Sequence, residues 1–96
     1  MFIVSIRHKG LKKLIVKNDS SGLPQQYVGK IRGLLQALDV AETIEHFLAL
    51  PKGRPHKLKG DRAGTYAITI YANWRITFKY DVRDHSIHIL DFEDYH

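Results

Sequence analysis

Three runs in the second half of the chain constrain its fold more than any other feature. TYAITIY (65–71), WRITFKY (74–80) and HSIHILD (85–91) alternate apolar and polar residues with a period of two. Such runs at hairpin spacing predict an antiparallel meander with one face turned to a core. The register of the first hairpin decides which face that is. A two-residue loop at Ala72-Asn73 would pair Tyr71 with Trp74 and Ile70 with Arg75, mixing apolar and charged residues on both faces. A three-residue loop, Tyr71-Ala72-Asn73, pairs Ile70 with Trp74, Ile68 with Ile76 and Tyr66 with Phe78. One face is then wholly apolar, and Thr69, Arg75, Thr77 and Lys79 share the other. A one-residue slip would exchange the faces, so burial selects the three-residue loop, with Asn73 in its left-handed position. Arg75 thereby points away from the core onto an open polar face.

The first half keeps a helical period instead. Phe2, Val4 and Ile6 alternate as a short first strand, and Leu11, Leu14 and Ile15 then recur at helical spacing as far as Lys17. NDSSG (18–22) is a turn signal. Pro24 suits the first turn of a second helix, whose stripe is Val28, Ile31, Leu34, Leu35 and Leu38. Gly29 and Gly33 weaken that helix, which predicts another element packed closely against them. Asp39 and Glu42 have capping-box spacing and start a short third helix with Ile44, Phe47 and Leu48, ended by Leu50-Pro51. The order is β-α-α-β-β-β with that short third helix: an α+β fold, helices on one face of a small antiparallel sheet.

Ninety-six residues allow a single domain, 1–96, and 44% hydrophobic with 26% charged residues is ordinary for a packed one. With no cysteine, a disulfide scaffold, a thiolate zinc site, an iron–sulfur site and a cysteine nucleophile are excluded. The opening MFIVSIRHKG is too briefly apolar for a signal peptide or a membrane span. The expectation is a soluble cytoplasmic domain with no membrane partner.

The net charge of +5 favours an anionic partner, nucleic acid being the commonest. The charge is also uneven. KGRPHKLKGDR (52–62) holds Lys52, Arg54, Lys57, Lys59 and Arg62 against Asp61, while DFEDYH (91–96) holds Asp91, Glu93 and Asp94. A solvated loop explains a basic run equally well on charge alone. His85-x-x-His88 lies on a predicted strand, where residues three apart face opposite ways, so it reads as two unrelated histidines and no metal site is assigned. No glycine-rich phosphate loop or nucleophile elbow is present. Two clusters remain: His56-Lys57-Leu58-Lys59, and Asp94-Tyr95-His96. They offer imidazole, carboxylate and phenol groups that move protons, and with Lys59 and Arg75 to stabilise charge on phosphorus they suit metal-free RNA cleavage. The plain alternative is a frayed tail beside a basic loop.

PHKLKGDRAGTYAITIYANWRITFKY, together with the terminal DFEDYH, resembles the HigB branch of the RelE/ParE toxin superfamily. The match is strongest in LKGDR, NWRITF and EDYH, and RHKGLKKL and ALDVAETIE extend it over nearly the whole chain. The resemblance implies a RelE-like fold and the toxin of a type II toxin–antitoxin pair, a ribosome-dependent endoribonuclease cutting mRNA in the decoding site. It implies a HigA-type helix-turn-helix antitoxin, operator DNA reached only through that antitoxin, and no cofactor. His56, Asp94, Tyr95 and His96 match the family's catalytic positions. Lys59 and Arg75 match its phosphate-facing ones, and Lys57, Arg62 and Lys79 join them as RNA-binding candidates. Lys57 stands where relatives usually carry proline, and Tyr66 where tryptophan is usual. Rival readings are a ParE-like toxin that inhibits gyrase by binding, and a non-catalytic RNA- or ribosome-binding module.

Overall fold

The computed structural model describes residues 1–50 and 55–94. Pro51, Lys52, Arg54, Tyr95 and His96, all singled out above, lie outside the described residues. The chain runs β1 (Phe2–Ile3), α1 (Lys9–Lys17), a 3-10 turn (Gln25–Tyr27), α2 (Val28–Val40), α3 (Ile44–Leu48), β2 (His56–Lys57), a 3-10 turn (Gly60–Arg62), β3 (Thr65–Tyr71), β4 (Trp74–Asp81) and β5 (Ser86–Asp94). The five strands form one sheet in the order β1-β5-β4-β3-β2, and the fold is α+β. Two features exceed the sequence reading. His56–Lys57 is an edge strand rather than loop, and β1 pairs with β5 in parallel, so the sheet is mixed. No helix among the described residues is long and apolar enough to cross a membrane.

Each helix buries the stripe that its sequence carries. Leu11 and Leu14 of α1 are buried, while Ile15, at the margin of the stripe, is 38% exposed. Asn18 ends α1 in the left-handed conformation, its N–H bonding back to Leu14. Pro24 precedes a 3-10 turn, and α2 proper begins at Val28 with Ile31, Leu34, Leu35 and Leu38 buried. Gly29 and Gly33 do not mark a close approach: both sit on the exposed face of α2, and a Cβ at either meets nothing within 4 Å. The close approach is elsewhere, between Gly10 and Gly22, where a Cβ on Gly10 would run into the Gly22 carbonyl. Asp39 is not a cap either, because α2 continues through Val40. Thr43, with the extended backbone that a cap needs, starts α3 by accepting from the His46 N–H at 3.2 Å.

The sheet register confirms the burial argument and corrects the loop. Tyr66 pairs with Phe78 and Ile68 with Ile76, but Tyr71 pairs with Trp74, leaving the two-residue loop Ala72-Asn73. Ile70 is the extra residue of a bulge between Thr69 and Tyr71, so the tight loop and the apolar face coexist. The carbonyl of Ile70 accepts from Lys30 Nζ of α2 at 2.8 Å. Ala72, not Asn73, takes the positive φ, at 47°. On the apolar face, Phe47 of α3 meets Phe78 edge-on with ring centroids 5.9 Å apart, and Tyr66 stacks on Phe78 at 5.6 Å. Tyr66, Ile68, Ile70, Ile76, Phe78, Ile87, Leu90 and Phe92 thus close one core with the helices.

Candidate functional site

Paired residues in neighbouring strands share a face, so the register defines the side of the sheet away from the helices. One row crosses it as His56, Ala67, Thr77 and Asp91. The next row is Thr69, Arg75 and Glu93. With strands about 4.8 Å apart, His56 and Asp91 are separated by roughly 14 Å. They frame a surface rather than touch.

That surface is less open than alternation alone suggests. Ala67, Thr65 and Thr77 are buried, at 0%, 4% and 2% exposure. Arg62, in the connection from β2 to β3, reaches Glu93 on β5, with Nη1 to Oε1 at 2.7 Å and Nη2 to Oε2 at 3.0 Å. The Thr77 hydroxyl donates to the same carboxylate at 2.6 Å. Arg62 therefore holds the Glu93 carboxyl below its ordinary value, aided by Thr77 and the charge of Arg7, against partial burial. Arg7 approaches Asp91 at 4.0 Å. An open pocket of about 490 Å³ lies here, its walls including Arg7, Arg62, Lys79, Ile89, Asp91 and Glu93. Lysine, arginine and threonine groups in such a pocket can meet phosphate and sugar oxygens.

The residues singled out in the sequence divide between the two faces. His56, Arg75 and Lys79 belong to the polar face by register. Arg75 Nη1 donates to the Ala72 carbonyl at 2.7 Å, which fixes the guanidinium at the hairpin and uses one of its nitrogens. Lys59 is exposed at the start of the Gly60–Arg62 turn. Lys57 lies on the other side of β2, its Nζ 5.8 Å from the centre of the Tyr66 ring, a cation–π contact instead of a place on the polar face. Arg62 commits its fork to a carboxylate. Asp94 pairs with Trp74 and so stands on the Phe92 side, opposite to Glu93. His85 and His88 have separate partners, the Tyr80 hydroxyl and Ser86.

Glu93 and Thr77 are the site residues that sequence reasoning left without a role. Glu93 is within the recognised EDYH, but its partner lies 31 residues away across a bulged sheet. No local pattern points to Arg62.

Comparison with known proteins accords with this architecture. A family model described as RelE-like toxin of type II toxin–antitoxin system HigB matches residues 4–96. An endoribonuclease HigB of Proteus vulgaris is 48% identical over 94 residues, covering 98% of this chain and 99% of the relative. A YoeB/ParE toxin from Agrobacterium tumefaciens superposes with a TM-score of 0.63 at 19% identity, over 100% of this chain and 99% of that one. A chain of the heterotetrameric YoeB–YefM toxin–antitoxin complex from Staphylococcus aureus gives 0.60 at 22% identity, over 98% and 94%. At these identities the two structures speak for the fold; the family model and the Proteus relative decide the membership. The chain belongs to the HigB-like toxins, RelE-like toxins of type II toxin–antitoxin systems.

Proposed function

We propose that the chain is an endoribonuclease that cuts mRNA on the ribosome, in the cytoplasm, by metal-free acid–base chemistry. The observation that carries this reading is the shared polar face of His56 and Arg75, an imidazole and a guanidinium on the side of the sheet away from the helices, in a chain nearly half identical to an endoribonuclease. A base takes the proton of a 2′-OH, the freed oxygen attacks the adjacent phosphorus, and an acid protonates the departing 5′ oxygen. The products are a 2′,3′-cyclic phosphate and a 5′-OH. His56 and His96 handle these protons, with Tyr95 contacting the RNA; Asp94, on the opposite face of the sheet from His56, serves the imidazole of the neighbouring His96. Lys59, Arg75 and Lys79 face the phosphates and stabilise charge developing on phosphorus. Lys57 and Arg62 are left out of that set because of the contacts they make.

The partner in this reading is a HigA-type antitoxin with a helix-turn-helix domain, which alone contacts operator DNA. The YoeB–YefM complex supports it as an example of a toxin of this fold held by its antitoxin.

The test presents ribosomes carrying an end-labelled mRNA to the purified protein, beside naked mRNA and a His96→Gln protein. A discrete cut that needs both ribosome and His96 is the expected result. Cutting of naked RNA removes the ribosome requirement. No cut by a folded protein overturns the nuclease, and a change in DNA supercoiling with RNA left whole would put gyrase inhibition in its place.

A further inference from the structure

The carboxylate of Glu93 is out of place on a surface that must accept a polyanion. Unpaired, it would repel phosphate. It is instead held by three hydrogen bonds, two from Arg62 and one from Thr77. The groups it joins belong to different parts of the chain. Arg62 closes the Gly60–Arg62 turn that follows the His56–Lys57 strand and Lys59, while Glu93 lies on β5 opposite Arg75. Between them Thr77, 2% exposed, anchors the same carboxylate to the middle of the sheet. An exposed ion pair contributes little to stability. A bidentate arginine–carboxylate pair with a buried hydroxyl fixes geometry.

We propose that Arg62 and Glu93 are a positioning pair that locks the His56/Lys59 segment to β5 on the polar face, so that His56 and Lys59 act on the same phosphate as Arg75, which pairs with Glu93. The proposal rests on the ribonuclease reading above. It assigns Arg62 a role through Glu93 rather than a direct phosphate contact, and the two roles separate kinetically. Misplacing reacting groups by about an ångström lowers the chemical rate by about 10²-fold. Losing a phosphate contact made equally in the ground and transition states raises KM instead.

The experiment compares wild type, Arg62→Met, Glu93→Gln and the exchanged pair Arg62→Glu/Glu93→Arg on ribosomes carrying end-labelled mRNA. Amide hydrogen exchange of residues 58–63 is followed in the same full-length proteins. The positioning pair predicts that both single variants lose kcat, by about 10²-fold, with KM changed little. It also predicts that the exchanged pair recovers part of that loss and that exchange in 58–63 quickens when either partner is removed. A direct phosphate role predicts a raised KM for Arg62→Met, a neutral or improved Glu93→Gln, and no recovery on exchange; that pattern overturns the proposal. So does unaltered hydrogen exchange in Glu93→Gln. A wild type that cuts no RNA overturns the ribonuclease reading and the catalytic part of the pair's role with it, while the exchange rates still decide whether Arg62 and Glu93 hold the loop.

Discussion

The backbone N–H of Ile89 donates to the hydroxyl of Ser5 at 2.8 Å, joining residues 84 positions apart. Ile89 has a φ of 54°, a left-handed conformation that a β-branched residue rarely adopts. It marks the bulge at which β5 gains one residue on β4, between the Thr77–Asp91 and Lys79–His88 pairs. The Leu90 N–H bonds the Ser5 carbonyl at 3.1 Å, so Ser5, just past β1, holds both residues of the bulge. The consequence is a change of parity: Ile87 and Leu90 enter the core, and Ile89 stays 44% exposed beside the polar pocket.

Ser5→Ala should therefore lower stability by about 1 kcal/mol, the usual effect of one lost hydrogen bond. Ile89→Asn should raise it, by up to about 1 kcal/mol, since asparagine tolerates the left-handed region. Urea midpoints at constant slope measure both. A destabilised Ile89→Asn would mean that the side chain contributes more than its backbone strain removes.

Gly29→Ala and Gly33→Ala should each stabilise the protein, by roughly 0.4–1 kcal/mol, because alanine is the better helix former and nothing lies within 4 Å of either new Cβ. Gly10→Ala should act in the opposite sense, its Cβ meeting the Gly22 carbonyl backbone. Thermal melts of the three variants, side by side, test the contrast.

Phe47→Ala removes a ring that is 0% exposed and packed on Phe78. The expected loss is about 3–5 kcal/mol. A domain of this size has only about 5–15 kcal/mol to lose, so the variant should be partly unfolded at 37 °C by circular dichroism.

The Arg62–Glu93 pair predicts a pH signature. Glu93 has a folded value lowered from 4.5, so its contribution is complete above that value and disappears as pH falls through the lower one. Wild type should lose more stability than Arg62→Met between about pH 5 and pH 3, the range over which an ordinary carboxylate takes up its proton. Unfolding midpoints across that range give the comparison, and parallel curves would mean that Arg62 is not the main cause.

On the catalytic reading, His56→Gln should lower the cleavage rate by ~10²–10⁴ as the loss of a proton-transfer group. Arg75→Met should lower it by roughly 10²–10³ as the loss of one charge donor. Both proteins should melt close to wild type, since His56 is exposed and Arg75 is half-buried at the sheet's polar face. Single-turnover cleavage with a melt on each sample is the measurement.

What the sequence by itself determined was everything tied to local period and burial. The alternation of 65–71 and 74–80 set the Tyr66–Phe78 and Ile68–Ile76 pairs, because any other register would bury charge. The stripe of α2 set its inward face in the same way. The RelE-like family was legible in short motifs that survive as contiguous strings. Tertiary structure alone decided the bulges at Ile70 and Ile89, the parallel docking of β1, the strand at His56–Lys57 and the reach of Arg62 to Glu93. Each of these joins segments far apart in the chain, and each depends on where a backbone N–H or a carboxylate finds its partner. Residue spacing encodes which side chains must leave water; it does not encode which distant group will satisfy the polar atoms they leave behind.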